Sequence, residues 1–140
     1  MLDRYEELDP DDDAARRGLV DDLIAGLVRH AVMEESVLYP FVISELPDLE
    51  HEIREEHEEH HIIEVLLAEL ARMDAADPQF DAKLEVLAEN LLHHFDEEEG
   101  DLFPRLREEV EPDTLRELAD DLRTAHTEAP TTPDPDRVGG

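Results

Sequence analysis

The sequence predicts an all-helical domain, and three observations carry the prediction. Prolines stand at positions 10, 40, 47, 78, 104 and 112, then at 130, 133 and 135, and the stretches between them are long enough for helices. Only five glycines occur, and β-branched residues show almost no alternation of apolar and polar positions, so strands and hairpins lack their signal. Within the long stretches apolar residues recur mostly four apart, as one face of a helix requires. A chain of 140 residues is the size of one domain with a single core.

Leu2 to Leu8 reads as the last two turns of a helix, closed by a loop of Asp9, Pro10 and three aspartates. A first long helix is expected from about Asp13 to Glu45, with Leu19, Leu23, Leu27, Met33, Val37 and Phe41 as its stripe. Pro40 lies inside it and predicts a kink or a break in the backbone bonding, because proline has no N–H and clashes with the preceding turn. A second helix is expected from about Asp48 to Asp74, carried by Ile53, Ile63, Leu67, Leu70 and Ala71, with Pro47 and Pro78 marking its ends. The third spans about Pro78 to Glu111, with Phe80, Leu84, Leu87, Leu91, Phe95 and Leu102 inward and Pro104 as an internal kink. Asp113 or Thr114 can cap a short further helix through about Ala125, with Leu115, Leu118 and Leu122 as a narrow stripe. Residues 1–126 thus form the helical domain, and residues 127–140 a flexible, Pro-rich polar tail.

Composition excludes several function classes. Forty-one Asp and Glu face twelve Lys and Arg, a formal charge of -29, which repels nucleic acid and anionic membrane surfaces. The surplus carboxylates, the Asp9 to Asp13 run among them, read as a solvated surface that keeps the chain soluble. Lys83 is the one lysine beside eleven arginines, and the acidity fits either a salt-rich cytoplasm or a GC-rich genome. No cysteine is present, which removes disulfides, thiolate zinc sites, iron–sulfur clusters and cysteine nucleophiles. No apolar run approaches the roughly 20 residues that span a bilayer, and Met1 is not followed by a signal core, so a cytoplasmic protein is expected. Phosphate-cradling glycine loops and nucleophilic triads are missing.

One internal repeat carries chemistry. His30 to Pro40 and His94 to Pro104 both read H-x3-E-E-x2-L-[YF]-P without a gap. Residues four apart on a helix sit one above the other, so His30 with Glu34, and His94 with Glu98, each aim an imidazole and a carboxylate at one point. Successive residues turn by about 100°, which puts His30 on the line of Leu23 and Leu27 and His94 on the line of Leu87 and Leu91. Between them His57, His60, His61 and Glu64 fall within an arc of about 100° around the stripe of Ile53 and Leu67. Buried imidazoles and carboxylates are costly unless paired, and a cation resolves that cost. Nitrogen and carboxylate ligands without thiolate suit iron, manganese or zinc, and carboxylates from facing helices suit two bridged irons.

The paired segments His30 to Pro40 and His94 to Pro104, with Glu59-His60 and an apolar helix between them, resemble the hemerythrin-like (HHE cation-binding) family over about residues 2 to 126. The resemblance implies a hemerythrin-like up-and-down four-helix bundle holding a non-haem, carboxylate-bridged di-iron centre. Such a centre meets O2, NO or peroxide as a carrier, a sensor or a peroxide-removing catalyst. Carried over residue by residue, it implies His30, Glu34, His60, His94 and Glu98 as metal ligands. The family's Asp-His pair near the start of its first helix would fall before Met1. This sets three expectations against one another: a first helix cut short by a misassigned start, a neighbouring histidine such as His57 or His61 as substitute, or a site with one metal or none. The truncated start is preferred, and it predicts homo-oligomers through the apolar faces that a short first helix leaves open.

For the remaining polar residues the expectations divide. His57, His61, Glu56 and Glu64 are either further ligands or partners that orient the ligating imidazoles. Glu35 and Glu99 lie about 140° round the helix from their histidines, which suits surface or orienting groups. His51 and His93 project away from the apolar stripes, and His126 sits at a helix end. Tyr39 and Phe103 are expected to pack beneath each kink, with a redox role for Tyr39 as the alternative. A metal-stabilised structural bundle, an iron-storing or iron-sensing protein, and a degenerate member acting as an acidic partner are the competing readings.

Overall fold

A computed structural model of the chain describes residues 7–9 and 11–136. Most of Leu2 to Leu8, read as the end of a first helix, lies outside the described residues. Four helical rods run up and down the molecule, and no strand occurs among the described residues. The first rod joins α1 (Asp13–Met33), a π-helical turn at Glu34–Leu38 and α2 (Tyr39–Glu45) without a break. A 3-10 turn at Pro47–Leu49 leads to α3 (Glu50–Arg72). The third rod repeats the first, with α4 (Phe80–Glu97), a π-helical turn at Glu98–Leu102 and α5 (Phe103–Glu109). The fourth is α6 (Pro112–Glu128).

A π-helical turn stands at each of the interruptions expected from Pro40 and Pro104. Each turn takes in one extra residue ahead of its proline, so that the Tyr39 N–H reaches the Glu34 carbonyl and the Phe103 N–H reaches that of Glu98. The widened turn accommodates a ring that would clash with the carbonyl four residues back. Both turns begin on the glutamate of the repeated motif, which places the wide part of each rod where Glu34 and Glu98 face inward.

Local chemistry sets the ends. Asp12 caps α1 by accepting the Ala15 N–H at 3.0 Å. Leu46, ahead of Pro47, is pushed out of the helical region and stops the first rod. The exposed carbonyls at the end of α3 are taken by Arg17, whose guanidinium donates to Leu70 at 2.6 Å, Met73 at 2.7 Å and Ala71 at 3.0 Å. Pro112 opens α6 at its first turn without a side-chain cap, in place of the expected Asp113 or Thr114.

Arg16 is buried. It pairs with Asp81, donates to the Ala75 carbonyl at 3.3 Å and lies 5.8 Å from the centre of the Phe80 ring. It thereby ties the start of α1 to the loop between α3 and α4. Arg16→Ala should lower stability by about 2 kcal/mol, as expected for a buried donor to a carboxylate and a carbonyl. Urea unfolding measures the loss, and a midpoint within error of the parent would remove this role.

Two apolar clusters fill the bundle. One gathers Val20, Ile24 and Val28 with Ile63, Leu67, Leu70, Phe80, Leu84, Leu87 and Leu91. The other gathers Leu38, Tyr39, Val42, Leu46 and Ile53 with Leu102, Leu106, Val110 and Leu118. The stripe of the first rod sits one residue later than expected. Val20, Ile24, Val28 and Ala31 are buried, while Leu19, Leu23 and Leu27 are half-buried at its edge. A row of residues four apart drifts by about 40° per step, so the Leu19 row marks the border of a wide apolar face rather than its centre. Ala71, expected inward, is exposed.

The C-terminal helix is longer than expected and packs along α1 and its π-helical turn as a fourth wall, with Leu118 buried and Leu115 and Leu122 half-buried. Beyond it, Ala129 is buried, the Asp134 N–H donates to Glu64 Oε2 at 3.0 Å, and the Pro135 carbonyl lies 3.2 Å from His61 Nδ1. The start of the expected free tail therefore lies against α3. No helix among the described residues is long and apolar enough to cross a membrane.

Candidate metal centre

Between the two apolar clusters runs a polar layer. After Ala31 the first rod presents Glu34, α3 presents His60 ahead of Ile63, and the third rod presents His94 and Glu98 between Leu91 and Leu102. All four side chains are buried. One ligand atom from each lies within 4.8 Å of the others. His60 Nε2 and His94 Nε2 are 3.0 Å apart, and Glu34 Oε1 lies 3.6 Å from the first and 3.4 Å from the second. Glu98 Oε1 approaches His94 Nε2 to 2.7 Å.

His30 stands at the rim. Its Nε2 is 2.7 Å from Glu34 Oε1, but its side chain is 38% exposed. The line of Leu23 and Leu27 on which it lies is the half-buried edge of the face, so it reaches the group through Glu34 alone. An edge-on contact with Phe95, at 5.8 Å between ring centres, holds the imidazole there.

Several atoms of the layer lack hydrogen bonds. His30 Nε2, Glu34 Oε2 and Glu98 Oε1 are buried without one. Nitrogen and oxygen face each other at 2.7 Å in both His–Glu pairs but out of line for a hydrogen bond. Two ligands at right angles about 2.1 Å from one ion stand about 3.0 Å apart, so this spacing suits atoms that converge on a cation. The donor set fits a metal.

Charge in the layer is interdependent. Burial pulls the histidines toward neutrality, yet the carboxylates outweigh it: Glu34 and Glu35 lift His60 to about 8, and Glu34, Glu56 and Glu98 lift His94 to about 12. His30 is also raised, burial being outweighed by Glu34. Burial works against an ionised Glu34, but His30, His60 and His94 crowded around it hold it well below the usual carboxylate range. Burial, joined by the Glu34 charge, pushes Glu98 up to about 7. Protons therefore fill the layer in the metal-free chain.

Supporting groups surround the imidazoles. His60 Nδ1 donates to Glu35 Oε1 at 3.1 Å, and the buried Tyr39 hydroxyl lies 2.9 Å from His60 Nε2. Burial and the surrounding carboxylates raise Tyr39, so it stays a phenol. Behind His94, Nδ1 faces Glu56 Oε2 at 2.7 Å and Glu59 Oε2 at 3.5 Å. Carboxylates on the outer nitrogens fix the tautomer and ring orientation. Glu35 thus takes up the orienting role held open for it, while Glu56 faces His94 Nδ1 out of line for a hydrogen bond. Glu59 was missed as a separate group, although it precedes His60 directly.

The other residues considered from sequence stand apart. His57 is exposed, His61 is half-buried against Pro135, and Glu64 is buried one turn further along α3 on the Asp134 N–H. With His60 inward, His57 and His61 are turned about 60° and 100° away from it. Glu99, His51 and His93 are exposed.

A cavity of about 460 Å³ opens between the first rod and α3. Tyr39, Glu35, Ile43, Ile53 and His57 line it, so it ends on the two groups that hold His60.

The model of the hemerythrin HHE cation-binding domain matches residues 1–106. An uncharacterized hemerythrin-like protein of Schizosaccharomyces pombe is 32% identical over 123 residues, which take in 81% of this chain. The chain spans 61% of the length of that relative. No solved structure gives a significant match.

Proposed function

We propose that this chain, which belongs to the hemerythrin HHE cation-binding domain family, holds non-haem iron in its buried polar layer and binds or senses O2, NO or peroxide there. The observation that carries this reading is the group Glu34, His60, His94 and Glu98, buried together with Glu34 Oε2 and Glu98 Oε1 left without hydrogen bonds. His30, His60 and His94 would supply nitrogens, and Glu34 and Glu98 would supply the carboxylates that bridge two ions. Bound iron supplies the redox change and the affinity for a diatomic ligand.

The chain's own residues do the rest. Glu35 holds the His60 imidazole in orientation from its outer nitrogen, and Glu56 stands as a charge partner beside that of His94. Apolar clusters on both sides keep water from the layer. Tyr39 keeps a hydroxyl proton at the inner end of the cavity. Manganese or zinc suits the same donors. Reversible binding and sensing are favoured over turnover, and consumption of peroxide over many cycles would mark a catalyst instead.

The test is iron content per chain together with the visible spectrum, before and after anaerobic reduction and return to air. Two irons with a charge-transfer band that responds to O2 are expected. A single-metal structural reading has one observation in its favour: four ligands converge on one point and His30 stands outside it. One metal without such a band would make that reading the correct one, and no metal would remove both.

A further inference from the structure

Three groups of potential ligands form a chain from the surface to the buried centre. The outermost is Glu59, His93 and Glu97, the next is Glu56, Glu59 and His94, and the last is the buried group of Glu34, His60, His94 and Glu98. Each group shares one member with the next. Glu59 presents Oε1 outward, 3.6 Å from His93 Nε2, and Oε2 inward, 3.5 Å from His94 Nδ1. His93 Nε2 is also 2.9 Å from Glu97 Oε1 and 65% exposed, so the outer group is open to solvent.

The middle of this chain points to a ligand. Glu56 is only 8% exposed, and its Oε2, like His94 Nδ1 opposite it, is buried without a hydrogen bond. Glu56 and Glu97 both line a cavity of about 150 Å³ whose wall also includes Glu52, Glu55 and Asp101, with Arg105 as its one cation. Arg105 is itself engaged by Asp48 and Glu109. An acidic recess leading to an unsatisfied buried carboxylate concentrates cations at its mouth. This face differs from the Tyr39 cavity, whose walls carry one carboxylate, Glu35.

We propose that Glu59, His93 and Glu97 form a second, shallow divalent-cation site, and that Glu59 and Glu56 pass cations from it inward to the His94 layer. The first half stands on the outer groups alone, while the inward transfer rests on the metal-centre reading above. Oxygen and imidazole donors with one open side suit weak, exchangeable binding of Mn2+ or Fe2+. Glu59 can turn between the two positions because both of its neighbours are within reach of one carboxylate.

The experiment titrates metal-free protein with Mn2+, following the free ion by its paramagnetic resonance. It compares the parent with a Glu59→Gln/Glu97→Gln variant and with a Glu85→Gln/Glu89→Gln variant that removes the same charge from exposed positions of α4. Circular dichroism checks that all three are helical. A weak Mn2+ site is expected in the parent and the control and about 10-fold weaker in the outer variant. In the same mixing experiment, uptake into a chelator-resistant fraction should slow about 10-fold in the outer variant. Equal Mn2+ curves in the two variants would overturn the outer site. Equal uptake rates would overturn the transfer but leave the outer site standing. A parent with the weak site and no chelator-resistant fraction would overturn the transfer and the buried centre together, and the weak site would survive them.

Discussion

Glu34→Ala should cost the chain its bound metal, with affinity falling about 100-fold or more, since even groups one step removed from a metal ligand contribute about 10–100-fold. Among the described residues Glu34 is the one side chain that approaches His30, His60 and His94 together, at 2.7, 3.6 and 3.4 Å. Glu98 approaches His94 alone among them, at 2.7 Å. The losses should therefore rank Glu34→Ala above Glu98→Ala, with Glu35→Ala, which acts through His60, smaller than both. Metal content after dialysis against a chelator measures each, and circular dichroism confirms that the helices persist. The ranking is the informative part. If the layer were only an ion-pair network, the three variants would differ in stability and not in metal content.

Much of this site was legible because helix geometry is regular. The four-residue spacing of His30 with Glu34 and of His94 with Glu98 is repeated in a motif that also carries its own proline. His60 could be singled out from His57 and His61 only by phase, and burial of Ile53, Ile63 and Leu67 fixes that phase in its favour. What was not legible came from contacts between rods. Spacing along one helix says nothing of Glu59 reaching His93 and His94 on another, or of Tyr39 meeting His60. The form of the interruption at Pro40 was not legible for a related reason. Proline forbids one hydrogen bond, but whether a helix answers with a kink or with an inserted residue depends on what packs around it. Here Leu38, Tyr39 and Val42 all bury their side chains after the widened turn. Leu23 and Leu27 showed the stripe but not its width, which is why His30 was placed too deep.

From pH 5 to pH 8 the metal-free chain should lose stability while the stabilisation conferred by metal grows. Glu98 and Glu56 are each raised from 4.5 to about 7, mainly by burial. The folded state holds their protons more tightly than the unfolded chain, so their contribution is full below pH 4.5 and is lost as pH rises through 7. His60 is raised from 6.5 to about 8, and its contribution is full below pH 6.5 and is lost as pH rises through 8. His94, raised to about 12, adds to the loss above pH 6.5. Glu34 is lowered instead, so its contribution is already full above pH 4.5 and does not vary across this window. These neighbours share protons, so the total is on the order of 3 kcal/mol, the size of a two-unit shift in one group. That corresponds to a midpoint about 10 °C lower at pH 8 than at pH 5 for a domain of this size. A cation takes the place of these protons and must displace them at low pH. The gap between loaded and metal-free unfolding temperatures should therefore be small at pH 5 and wide at pH 8. Glu98→Gln, which has no proton to lose, should flatten the metal-free slope. A gap that is constant with pH, or a metal-free midpoint that rises with it, would mean that the buried layer exchanges no protons for a cation.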